Sequence, residues 1–94
     1  MLRIDEIKSK SEPILKAAGA KKAAIFGSYA RGEATPESDI DIIVEMPKGT
    51  SLFDVGGLKV DLEEALGREV DLSQYVALKP LVRPYILNDL VTII

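Results

Sequence analysis

Ninety-four residues are one domain's worth of chain, because halves of that length could not each bury a core. Apolar residues make up 47% and charged residues 29%, the profile of a folded soluble domain, while the lack of any cysteine or histidine excludes disulfides, thiol and imidazole catalysis and Cys- or His-ligated zinc, so any metal must be held by oxygen. A net charge of −3 supplies no basic footprint for a phosphate backbone, so direct nucleic-acid binding is not expected. The charged opening residues, and the absence of an apolar run of about 20, point to a cytoplasmic chain with no leader and no membrane contact.

Ile4, Ile7, Ile14, Leu15 and Ala18 recur at helical spacing and predict an amphipathic helix over 2–18, bent at Pro13 and stopped by Gly19. Ala23-Ala24-Ile25-Phe26 reads as a short buried strand that ends at Gly27, and a polar segment, 28–38, follows it. The β-branched stretch 39–44 predicts a second strand, halted by Pro47 and Gly49. Ser51-Leu52-Phe53-Asp54 has the Ser-x-x-acid form of a helix start, and Val55, Leu58, Leu62, Ala65 and Leu66 extend one apolar face to Gly67, with Gly56-Gly57 weakening the first turns. Residues 68–72 predict a third strand. Leu81, Val82, Tyr85, Ile86 and Leu90 suggest a last helix with Pro80 or Pro84 near its start, and 91–94 a terminal strand that leaves a sheet edge open to pairing.

Side chains alternate across a strand, so Asp39 and Asp41 share a face while Ile40, Ile42 and Val44 share the other. With Cα atoms about 6.6 Å apart, the two carboxylates can converge on one hard cation; alone, Asp-x-Asp also fits a merely solvated strand face. Asp71 points away from Val70 and Leu72, and a third strand lying beside the second brings it to the same face, giving the three carboxylates that two divalent ions use in phosphoryl displacement. Gly27-Ser28 directly follows a predicted strand. Gly27 permits close backbone approach, and a short helix opened by Ser28 would aim free N–H groups and a hydroxyl at a phosphate. A Walker loop is excluded, because Glu33-Ala34 stand where Lys-Ser/Thr is needed.

The combination of Gly27-Ser28-Tyr29-Ala30-Arg31-Gly32 with Ser38-Asp39-Ile40-Asp41-Ile42-Ile43-Val44 resembles the core motif of the DNA polymerase beta-type nucleotidyltransferase superfamily. The small size and the Ala-Arg-Gly variant are similar to its stand-alone minimal nucleotidyltransferases, which are often encoded beside a HEPN-domain protein. The resemblance implies a single α/β domain over 1–94, with a mixed sheet of three or four strands packed by helices. It implies that Gly27 and Ser28 hold the nucleotide's triphosphate, that Asp39 and Asp41 bind two Mg²⁺ ions, and that Asp71 ligates the catalytic ion and helps deprotonate the acceptor hydroxyl. It further implies an antitoxin that moves AMP from ATP onto a hydroxyl of a HEPN toxin. An occluding binder with idle carboxylates is the rival reading, and a transferase acting on tRNA or a small molecule is a weaker third. The acceptor pocket is expected to come from a partner or a second copy in a homodimer. Arg31 could reach phosphate or pair with Glu33 or Glu37, the pairing being favoured, and Tyr29 could pack in the core or meet a partner.

Overall fold

The computed structural model describes all 94 residues. The first helix, α1 (Ile4–Ala17), buries Ile7, Ser11 and Leu15, a four-residue repeat that keeps one stripe against the protein. It runs on through Pro13, which removes the N–H that the Ser9 carbonyl would accept; two residues earlier, the buried Ser11 hydroxyl donates to the Ile7 carbonyl. Strand β1 (Lys22–Phe26) leads directly into a five-residue helix, α2 (Gly27–Arg31), and a loop then delivers the chain to β2 (Ile40–Glu45).

Helix α3 (Leu52–Leu66) starts as the Ser-x-x-acid signature predicts. Ser51 Oγ accepts from the Asp54 N–H and Asp54 Oδ2 from the Ser51 N–H, both at 3.1 Å. Gly56 and Gly57 are accommodated within it, and Leu58, Leu62 and Leu66 form its buried stripe. The third strand, β3 (Val70–Gln74), begins two residues later than expected. Gly67 ends α3 in the left-handed region, φ 67°, and Arg68 and Glu69 are consumed in turning the chain back to the sheet.

Strand β2 pairs antiparallel with β1 and parallel with β3, so α3 is the crossover of a βαβ unit. The last strand, β4 (Val91–Thr92), lies antiparallel to β1, giving the mixed order β3-β2-β1-β4. The terminal strand is thus half the expected length, although the Ile93 and Ile94 amides both donate to the Ala23 carbonyl. The predicted last helix shrinks to α4 (Arg83–Leu87): Pro84 has no amide to donate to the carbonyl four residues back, and Leu81 and Tyr85 point into solvent.

One sheet face, carrying Ala23, Ile25, Ile40, Ile42, Val44 and Val70, packs against α1 and α3 as the main core. The opposite face is covered only in part. There Ala24, Ile43 and Tyr75 form a small second cluster with Phe26, Leu78, Ile86 and Leu90, so the segment from Tyr75 to Leu90 roofs the middle of the sheet. The end where β1 stops and β2 starts stays open, and the polar residues lie there. No helix is long and apolar enough to cross a membrane.

Candidate active site

Parallel pairing of β2 with β3 sets Asp41 directly opposite Asp71. Side chains of register partners share a face, so the two carboxylates lie side by side, and Asp39, two residues before Asp41, falls on that face as well. The sheet therefore brings together all three aspartates singled out in the sequence. Asp39 and Asp71 are exposed and Asp41 is half-buried.

That crowding has an electrostatic cost. Burial, then the negative charges of Asp71 and Asp39, together with a hydrogen bond shared with Asp71, push the Asp41 carboxyl from the usual 3.8 up to about 6, against a smaller opposing pull from Arg31. The cluster is not a closed cage. The three carboxylates share a face without closing tightly around one point, as repulsion between unbridged like charges favours. The donor set still fits Mg²⁺. It consists of hard oxygens only, it can leave positions for phosphate and water, and a cation between the aspartates would offset the like charges around Asp41.

Gly27 closes the site from the side of β1. Its φ is +71°, which favours glycine, and a β-carbon there would lie 2.1 Å from Asp41 Oδ2 and 2.8 Å from Asp41 Cγ. Only a residue without a side chain lets the strand-to-helix turn rest on that carboxylate. Ser28, half-buried, follows in the first turn of α2, so the predicted phosphate cradle and the predicted cation ligands meet at one point of the open face.

Two residues left open by the sequence can be placed. Arg31 Nε lies 3.2 Å from Glu33 Oε2, the ion pair the sequence favoured. Tyr29 is 5% exposed and packs in the main core, where its hydroxyl has no hydrogen-bond partner. A recess of about 270 Å³ opens beside the aspartates, lined by Asp39, Lys59, Glu63, Glu69, Val70 and Asp71. Sequence reasoning missed Lys59, Glu63 and Arg68 at this end of the sheet. No local pattern marks them, because their relevance arises only once α3 folds back beside β3.

The nucleotidyltransferase domain model matches residues 5–93. A Methanocaldococcus jannaschii protein named as a candidate protein adenylyltransferase is 50% identical over 93 residues, 99% of this chain and 100% of that one. The protein adenylyltransferase MntA of Thermococcus cleftensis is 35% identical over 95 residues, 97% of this chain and 96% of its own. Among solved structures, one of a candidate minimal nucleotidyltransferase superposes with a TM-score of 0.83 at 32% identity, covering 96% of this chain and 95% of that chain. A chain of the complex between a tri-AMPylated HEPN toxin and an MNT antitoxin from Shewanella oneidensis shares the fold, with a TM-score of 0.75 at 20% identity over 96% of this chain and 71% of that chain.

Proposed function

The chain belongs to the nucleotidyltransferase domain family, and on that premise we propose that it is a Mg²⁺-dependent protein adenylyltransferase, acting in the cytoplasm as antitoxin to a HEPN toxin by moving AMP from ATP onto a toxin hydroxyl. The observation that carries this reading is the close approach of the Gly27 backbone to the Asp41 carboxylate opposite Asp71, which brings the start of α2 against the paired carboxylates. The names of the relatives support adenylyl transfer, and the toxin complex supports the partner.

In this mechanism Gly27 and Ser28 seat the triphosphate, and the glycine's missing side chain lets their turn lie against the Asp41 carboxylate. Asp39, Asp41 and Asp71 are the residues that would hold Mg²⁺, which when bound supplies positive charge to the attacking and leaving oxygens. Asp71, at the exposed end of the cluster, takes the proton from the acceptor hydroxyl. The acceptor oxygen forms a bond to the α-phosphorus as the bond to the β-phosphate oxygen breaks, and pyrophosphate leaves. Docking of a partner draws support from the exposed apolar patch on α3, where Leu52 is 84% and Phe53 92% exposed; the same patch would serve a homodimer.

The test is transfer of label from α-labelled ATP to a candidate HEPN toxin partner in Mg²⁺, beside a pull-down and a neutralisation assay. Wild type should label the toxin. Asp39→Asn, Asp41→Asn and Asp71→Asn should bind it normally, yet lose transfer by about a hundredfold or more, along with neutralisation. Unlabelled toxin with wild type, and full neutralisation by the Asn variants, would establish occlusion instead.

A further inference from the structure

We propose that Glu63 and Arg68, which flank the turn between α3 and β3, are positioning residues that set Asp71 and Asp39 for the adenylyl transfer proposed above. The inference rests on that reading, and on two side-chain-to-backbone hydrogen bonds that it does not use. Glu63 Oε2 accepts from the Val70 amide at 3.0 Å, and Arg68 Nη2 donates to the Ser38 carbonyl at 2.7 Å. Each grips the residue immediately before a site carboxylate: Val70 before Asp71, and Ser38 before Asp39.

The need for such a grip follows from topology. Strand β3 is an edge strand, paired with β2 alone, and the Val70 amide is taken by Glu63 rather than by the ladder. Between the two gripped positions the Ile40 amide donates to the Glu69 carbonyl at 3.0 Å, so three bonds lock the start of β2 to the start of β3. An edge held at one side is free to shift, and even a one-residue slip would turn Asp71 toward the core and Val70 toward solvent. Glu63 and Arg68 oppose such a slip from α3 and its turn.

Glu63 also lines the recess beside Asp39 and Asp71, so a direct role for its charge must be told apart from a role for its hydrogen bond. Glu63→Gln separates them, because the amide oxygen still accepts from the Val70 N–H while the charge is gone. The full chain is compared as wild type, Glu63→Ala, Glu63→Gln and Arg68→Ala by amide hydrogen exchange at Val70 and Asp71, calorimetric Mn²⁺ titration, and kcat and KM for label transfer, with circular dichroism to verify folding.

Glu63→Ala should speed exchange at Val70 by about tenfold or more and lower Mn²⁺ affinity and kcat by about 10–100-fold, with KM for ATP nearly unchanged, the usual size for loss of a group that orients a ligand. Arg68→Ala should lower kcat and Mn²⁺ affinity in the same range, and Glu63→Gln should stay within about threefold of wild type. Glu63→Ala with unaltered Mn²⁺ affinity overturns the proposal, and so does Glu63→Gln falling as far as Glu63→Ala. If Glu63→Ala does not fold, the Gln variant and Arg68→Ala decide on the same criteria. If wild type transfers no label, the adenylyltransferase reading fails, while exchange and Mn²⁺ affinity still judge the positioning.

Discussion

Along β2, neighbouring side chains meet opposite environments. Ile40, Ile42 and Val44 are wholly buried against α1 and α3, whereas Asp41, wedged between Ile40 and Ile42 in sequence, faces Gly27 and Asp71 on the open side. The covered face gains stability from every side chain it hides, at roughly 25 cal/mol per Å² of apolar surface. The open face gathers like charges that the fold must restrain. One strand therefore both supports the fold and carries groups that work against it, and the alternation of strand side chains keeps the two roles one residue apart.

Substitutions on the two faces should separate sharply. The largest effect on stability is expected at Ile42→Ala, which opens a cavity in the main core and should cost about 2–5 kcal/mol in urea unfolding, a large share of the roughly 5–15 kcal/mol that holds a domain together. Asp41→Asn, next in sequence, should leave the unfolding midpoint at pH 7 unchanged or raise it. An equal loss at both positions would erase the contrast between faces.

Gly27→Ala ranks second. The left-handed backbone there should cost alanine about 1–2 kcal/mol, and the new methyl group must displace the Asp41 carboxylate. The same variant should therefore lose ATP-dependent labelling out of proportion to its stability, by about a hundredfold, since misplacement by an ångström suffices for that. Normal labelling by a folded Gly27→Ala protein would detach the glycine from the site.

A smaller effect is expected from pH. The folded Asp41 carboxyl titrates near 6, above its unfolded value of 3.8, so between these values the folded state binds more protons than the unfolded one. This group's contribution to stability must then increase as pH falls from about 6 toward 4, opposite in sign to an ion-paired aspartate. Thermal melts without divalent cations should show Asp41→Asn flattening that part of the profile; an identical slope in wild type and variant would remove the crowding argument. The smallest change is Tyr29→Phe, which deletes a buried hydroxyl without a partner from the covered face and should raise stability by up to about 1 kcal/mol in denaturant titration.

Periodicity alone located α1, β1, β2 and α3 closely, because each combines a strong apolar repeat with a stop signal such as Gly27, Pro47 or Gly67. The Gly27-Ser28 and Asp39-Ile40-Asp41 motifs were equally legible, since their spacing is local and strand alternation fixes which side chains share a face. After β3 the reading loosened. Leu81, Val82 and Tyr85 fit one side of a helix, but only a five-residue helix forms, and of that predicted stripe just Ile86 and Leu90 reach the second cluster. Local sequence could not specify that β3 pairs with β2 in the register that sets Asp71 opposite Asp41, that the Gly27 backbone rests on the Asp41 carboxylate, or that Glu63 and Arg68 grip the residues ahead of Asp71 and Asp39. Those are contacts between segments far apart in the chain, selected by how the helices pack across the sheet, and a propensity that spans a few residues carries no information about them.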